Sequence, residues 1–413
     1  MTADGTPLIG IIGGYGRVGG AAARVLAAEC GYRLRVGGRS ADAAWSLARR
    51  LGDGSEAAVV DAADGQSLRH FTRGCATVLD CSGTAFVLRG AVRRSVLAAG
   101  AHYVGMTDDG GPRTPHGPAT AVLFTGLAGT LAGWLPRLLA DGLASATCFD
   151  GWYGGLGAVT PHAAVSGLLA RRRALDVPAG AWTGARTRDG SPDGPFGGPL
   201  AAAPGDPSDP SLPAPPGGET PLTARESQPP WPLPARPAAV HRILPEELRR
   251  QMYGLCLEEA RWREVFPGPA TPAVLDRLAG RPRGALDARA LLGVARELSR
   301  ASRLDAERIS SYAMTYGTLD GLTPDGLAVR RSALMHCTDV SGLAGVVAAA
   351  TAHEATGDRL SSGVHVAADT LPPEGTADWI VRHLPRATVR RTEIPTGGTG
   401  RTTSTPVAAR RPG

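Results

Sequence analysis

The glycine run after the first apolar stretch constrains this chain more than any other feature. Leu8–Ile12 is uniformly apolar, Gly13-Gly14-Tyr15-Gly16-Arg17-Val18-Gly19-Gly20 follows, and Ala21–Ala28 is rich in alanine. That order predicts a buried strand, a tight turn and a helix. Glycines at 14, 16 and 19 fit the G-x-G-x-x-G spacing of a dinucleotide-binding turn. Gly14 permits the turn, Gly16 lets backbone approach a pyrophosphate, and Gly19 lets the helix close on the strand. The helix-start amides around Tyr15, Gly16, Arg17 and Val18, together with the helix dipole, favour a bound anion. In a chain with 56 glycines this spacing arises cheaply, so its weight comes from its place directly behind a strand.

Further on, Tyr32–Ser40 reads as a second strand ending at Gly37-Gly38, with Arg39 twenty residues past Gly19. A fold of this kind places an acid there when it grips the ribose 2′-hydroxyl of NAD. Arg39 and Ser40 instead offer a guanidinium and a hydroxyl, which suit the 2′-phosphate of NADP. The bland alternative is an arginine closing a strand end.

Strands and helices then alternate. Ala41–Leu51 is a helix opened by Ser40, Ala57–Val60 a strand ending at Asp61-Ala62, and Gln66–Thr72 a short helix. Thr77–Cys81 is a strand turning at Ser82-Gly83, followed by a helix Ala85–Ala99 and a strand His102–Val104. This alternation predicts an α/β fold, an N-terminal Rossmann-type parallel sheet with helices on both faces. Ligands bind at the carboxyl ends of such strands. Gly38, Asp61, Ala62, Cys81, Ser82, Gly83 and Tyr103 therefore join the glycine turn as expected cofactor-binding residues on one rim.

Val122–Phe124 and Thr130–Leu139 give one more strand and helix, after which the character changes. Cys148–Gly157 reads as a strand of a different sheet, and a helix follows Thr160-Pro161-His162. The stretch from about Pro178 to Pro237 holds nearly half of the chain's 34 prolines and few large apolar residues, so it reads as a mobile loop. Pro245–Val265 and Ala288–Ala301 read as amphipathic helices. Arg308–Thr318 and Leu327–Met335, with Asp320-Gly321 and Asp325-Gly326 as turn signals between them, read as an antiparallel hairpin. Ser341–His353 is a helix, Gly363–Ala367 strand-like and Thr376–Leu384 a helix. The expected organisation is a dinucleotide-binding domain over 1–128 and an α+β substrate and dimerisation domain over 129–340 with a mixed or antiparallel sheet. Within the latter lie a Pro/Gly-rich insertion at about 178–240 and a helical insertion at 245–305. A segment 341–395 packs back on the first domain, and 396–413 is a disordered tail.

Composition sets exclusions. All 44 basic side chains are arginine, and the chain has no lysine, so a Schiff base to the protein, a Walker lysine and a Tyr-x-x-x-Lys dyad are ruled out. Its six cysteines are scattered without a C-x-x-C pair, which argues against a disulfide framework or a cysteine zinc site, and no metal is expected. No apolar run reaches the roughly 18–20 residues that span a bilayer, and no signal peptide is evident, so the expected location is the cytoplasm, away from membrane. The net charge of +6 comes from arginines dispersed on helices, which points to an anionic small molecule rather than nucleic acid.

Taken together, the glycine turn, Val36-Gly37-Gly38-Arg39-Ser40, Val59-Val60-Asp61-Ala62-Ala63-Asp64, Asp80-Cys81-Ser82-Gly83 and Ala99-Gly100-Ala101-His102-Tyr103-Val104 resemble the saccharopine dehydrogenase (reductase-type) family. The likeness covers 8 to about 170, and 308–385 in outline. It implies an NAD(P)-binding domain, a substrate domain, chemistry at carbon–nitrogen bonds and a homodimer. One departure stands out: where the family has an aspartate after its Tyr-Val pair, this chain has Gly105, with Asp108 and Asp109 just beyond.

The expected function is reduction of an imine, or a related double bond, of an amino-acid-derived molecule by NADPH in specialised metabolism. A carbonyl reductase, an amine-oxidising dehydrogenase and a non-catalytic NADP-binding partner protein are the alternatives. The cofactor carries the hydride, so the protein has to position a carbon and manage a proton. Tyr153, His162 and Asp108 are the expected catalytic residues, with Asp109 and Tyr103 as further candidates. Tyr103 equally suits a buried structural place, and Cys81 reads as a small buried residue. Arg113 or Arg171–Arg173 are available to a substrate carboxylate.

Overall fold

The computed structural model describes residues 5–52, 54–83, 88, 90–106, 117–124, 126–175, 239–279, 288–308, 310–357, 359–396 and 403–406. Seven short strands form the first sheet: β1 (Leu8–Ile12), β2 (Arg33–Gly38), β3 (Ser55–Val59), β4 (Thr77–Asp80), β5 (His102–Gly105), β6 (Thr120–Leu123) and β12 (Gly363–Val366). Their order is β12-β6-β5-β4-β1-β2-β3, and every pairing is parallel. The chain runs outward from β1 through β2 to β3, then returns to β4 on the other side of β1. This reversal opens a crevice at the carboxyl ends of β1 and β4, where such sheets take ligands.

Alternation along β1 explains why both faces are covered. Ile9 and Ile11 enter a core with helices α1 (Arg17–Cys30) and α2 (Ala41–Leu51). Leu8 and Ile12 enter a second core with α3 (Gly65–Thr72) and α4 (Ala91–Ala98). The late helix α10 (Val340–Thr356) lies along α1, with Gly345 against Val18 and Ala21, where any side chain would strike the earlier helix.

The second sheet is mixed, in the order β14-β13-β11-β10-β7-β9-β8. Its members are β7 (Ser145–Leu156), β8 (Ala239–Arg242), β9 (Glu259–Phe266), β10 (Tyr312–Leu322), β11 (Ala328–Cys337), β13 (Thr388–Pro395) and β14 (Thr403–Pro406). Only β7 and β9 run parallel. Helix α5 (Leu127–Ala140) is buried between the sheets: Leu131, Leu135 and Leu139 share a core with Phe149 and Leu319 of the second sheet and Val122 of the first. A separate layer of α6 (Pro161–Leu175), α8 (Ala270–Ala279) and α9 (Ala288–Ala306) packs on its own apolar cluster. Short α11 (Ala367–Thr370) and α12 (Pro373–His383) complete the described elements.

Two readings need correction. Pro245–Val265 is not one helix: α7 (Glu246–Gly254) ends, Cys256 takes a left-handed φ of 53°, and β9 begins. From Glu259 the buried residues Ala260 and Trp262 recur with period two, a strand signal that an amphipathic helix pattern had masked. The end of the chain is also not all tail, since β14 pairs antiparallel with β13. The proline-rich stretch 178–237 lies outside the described residues.

Candidate functional site

Backbone bonds hold the glycine turn against β2. The amides of Gly13 and Gly14 donate to Gly37 O at 2.9 and 3.0 Å, and Gly16 N donates to Gly13 O at 3.0 Å. At Gly19 a Cβ would lie 2.9 Å from Gly14 Cα and strike the Gly13 carbonyl, so only glycine lets α1 start this close. Gly16 caps α1 without a side chain, and no described residue takes the Arg17 and Val18 amides. An uncapped 14-residue helix start at the switch point of a parallel sheet fits a diphosphate.

At the other end of that groove, β2 closes on Gly38. Tyr15 lies across this glycine, whose Cβ would collide with the ring, and its hydroxyl accepts from Ser40 N at 3.1 Å. Ser40 Oγ caps α2 through Ala43 N at 3.3 Å, and Arg39 is exposed. Asp61 closes its own turn on Ala63 N at 2.9 Å, with half-buried Ala62 between them.

The turn after β4 is organised by buried Asp80. Its Oδ1 accepts from Ser82 N at 2.9 Å and Ser82 Oγ at 2.6 Å, and its Oδ2 from Tyr103 Oη at 3.2 Å. Tyr103 is fully buried and does not line the cavity described below, so it supports the rim from behind. It also accounts for Gly105, where a Cβ would sit 2.6 Å from the Tyr103 hydroxyl. Burial, with Asp80 beside it, pushes the Cys81 thiol far up, so it is no thiolate nucleophile.

A cavity of about 610 Å³ runs from this rim to the helical layer. Gly16, Arg17, Val18, Cys81, Ser82 and Gly83 line one end, while Tyr153, His162, Arg171 and Glu264 line the far side. Apolar side chains, among them Met106, Phe124, Leu156, Val159 and Phe266, make up much of the wall. The structure brings His162 onto the cofactor rim: Gly83 has φ +72°, and a Cβ there would meet His162 Cβ at 2.8 Å. Thr160 Oγ1 fixes the start of α6 by accepting from Ala163 N at 3.2 Å. Tyr153 projects beside Gly155, where a Cβ would lie 2.6 Å from its hydroxyl. Burial, and then the Glu264 carboxylate, push this phenol well above the ordinary tyrosine range, so it stays protonated. Neither the Tyr153 hydroxyl nor the His162 ring bonds to a described residue. Asp108, Asp109 and Arg113 lie outside the described residues, as do the side chains of Arg172 and Arg173.

Sequence reading missed Glu264, His241 and Asp276. Arg171 donates to Glu264 Oε2, and its other terminal nitrogen is 2.7 Å from His241 Nδ1. His241 Nε2 lies 3.2 Å from Asp276 Oδ1. Burial, then Arg171, push His241 down to about 4, so its Nδ1 accepts from the guanidinium. The available signal was the period-two pattern of β9, which marks it as a strand; the register that sets Glu264 against Tyr153 is not local. Among the described residues no cluster of His, Cys, Asp and Glu could hold a metal, and no helix is long and apolar enough to cross a membrane.

Comparison with known proteins agrees with this geometry. Residues 9–114 match the family described as the saccharopine dehydrogenase NADP binding domain. Apo saccharopine dehydrogenase (L-Glu forming) from Saccharomyces cerevisiae is similar with a TM-score of 0.53 and 11% identity, over 94% of this chain and 100% of that one. At that identity the likeness shows a shared fold, and it reaches across both sheets. Triphenylmethane reductase from Citrobacter sp., complexed with NADP(H), matches 24% of this chain and 37% of its own, with 21% identity and a TM-score of 0.21. No curated protein matches the chain.

Proposed function

Because residues 9–114 belong to the saccharopine dehydrogenase NADP-binding domain family, we propose that this chain is an NADPH-dependent oxidoreductase that reduces a carbon–nitrogen double bond of a small, amino-acid-derived molecule. One observation carries the proposal. The phosphate-binding helix start, the Ser82-Gly83 turn and two side chains able to donate protons, Tyr153 and His162, line a single cavity.

NADPH, when bound, supplies a hydride to the substrate carbon. The chain's own residues do the rest. The amides of Arg17 and Val18 would hold the diphosphate, and Arg39 and Ser40 would hold the 2′-phosphate. Met106, Phe124, Leu156 and Val159 keep water from the reacting carbon. The imine nitrogen takes a proton before the hydride arrives, and His162, seated on Gly83, is the donor proposed for it; the C=N π pair then moves onto nitrogen as the hydride adds to carbon. Tyr153, held protonated, orients the substrate as a hydrogen-bond donor.

The test is turnover. Purified protein is expected to oxidise NADPH with a cyclic imine and not with the matching cyclic ketone. Preference for the ketone would replace this reading with carbonyl reduction, and tight NADPH binding without turnover of either would favour a binding protein. A homodimer built through the second sheet is part of the proposal, supported by the partly buried Tyr316 and Leu334 on the sheet face away from α5, and sedimentation velocity tests it. The proposed setting is specialised-metabolite biosynthesis, supported by the layer of α6, α8 and α9 over the cavity, which the matched family domain does not include.

A further inference from the structure

Three strands set out a row that no local motif announces. Tyr153 on β7 is in register with Glu264 on β9, and Glu264 with His241 on β8. Registered neighbours project from the same face of a sheet. Tyr153 and Glu264 both line the cavity, so that face is its wall.

Arg171 crosses this row from α6 and is held on every side. It donates to Glu264 Oε2 and to His241 Nδ1, and its guanidinium carbon lies 5.4 Å from the centre of the Phe266 ring. The His241 ring packs on the same phenylalanine at 4.9 Å, with Asp276 behind it. Arg171 is therefore committed to Glu264 and is not available as the carboxylate anchor that the sequence offered. Among the described residues, Glu264 Oε1 accepts no hydrogen bond, and the Tyr153 hydroxyl beside it makes none. A carboxylate oxygen facing a largely apolar cavity lacks a donor, and leaving it so is costly.

We propose that Glu264 is the specificity-determining residue of the cavity: its open oxygen binds a protonated substrate nitrogen beside Tyr153, so the substrate is a cationic imine or amine on an apolar frame and not a dicarboxylate. Arg171, His241 and Asp276 are positioning residues that keep Glu264 aimed. The inference rests on the proposed carbon–nitrogen chemistry at this same site and assigns its charge.

Calorimetry on the NADP-saturated protein tests it, with piperidine hydrochloride as the cationic probe, tetrahydropyran as its neutral isostere and glutarate as the dicarboxylate. Wild-type protein is expected to bind piperidinium at least about tenfold more tightly than either, the scale of one charge-assisted hydrogen bond. Glu264→Gln is expected to remove that margin while NADPH affinity stays within about twofold, since Glu264 is away from the phosphate turn; Glu264→Asp, which keeps the charge, restores part of it. Glutarate binding above piperidinium, or a Glu264→Gln protein that holds piperidinium like wild type, overturns the inference and leaves the cofactor reading intact. The wild-type comparison of the three probes decides the matter even where the variant does not fold. Failure of wild-type protein to bind NADPH overturns the underlying reading instead.

Discussion

Arg39 is the residue on which cofactor choice turns. It stands exposed at the end of β2, next to the Ser40 amide that donates to Tyr15, and Asp61, past the end of the neighbouring β3, is folded back on Ala63. Removing a guanidinium from a phosphate contact costs roughly 1.5–3 kcal/mol. Arg39→Ala is accordingly expected to weaken NADPH by about tenfold to a hundredfold in direct titration and to leave NADH nearly unchanged. Equal losses for both cofactors would remove Arg39 from the 2′-phosphate. The glycines at 14, 16 and 19 and Arg39 were legible because their spacing is local. Tyr103 was not. Whether a strand-end tyrosine points at the crevice or behind it depends on the pleat of β5, and here it points at Asp80. Its ring fills the space over position 105, which is the physical reason for the glycine there.

At the scale of elements, the second sheet carries what the sequence hid. An amphipathic helix and a half-buried strand both bury alternate-looking residues over a short window, so α7 and β9 merged into one helix on reading. Glu264 then had no visible partner. Its meeting with Tyr153 and His241 depends on the register of three strands distant in the chain, which no local spacing encodes. The β8–α6 link has a measurable signature through His241, whose folded value is about 4 against an ordinary 6.5. Between those values the unfolded chain binds the proton and the folded chain does not, so stability falls as the pH drops through that window. Denaturant unfolding should show wild-type protein losing up to on the order of 3 kcal/mol more than His241→Gln across it. Parallel pH profiles for the two proteins would show that His241 is not held neutral by Arg171 and burial.

For the whole molecule, the two sheets are tied by chain crossings rather than by a hinge. The chain leaves the first sheet at β6, builds most of the second, returns to the first through α10 and β12, and then adds β13 and β14 to the second. Helix α5 sits in the core common to both. This arrangement holds the glycine turn of one sheet and the Tyr153–Glu264 row of the other on opposite sides of one cavity, the geometry that hydride transfer from a cofactor to a substrate requires. The alternating first half made the parallel sheet readable, whereas the pairing of β7 with β9 across more than a hundred residues did not follow from any local pattern. On the proposed function, a hydride crosses this cavity to an imine carbon. Incubating the protein with NADPH deuterated at its transferable position and a cyclic imine tests it directly by mass spectrometry. One deuterium is expected on the former imine carbon of the amine product; bound NADPH with no label on any amine would rule hydride transfer to an imine out.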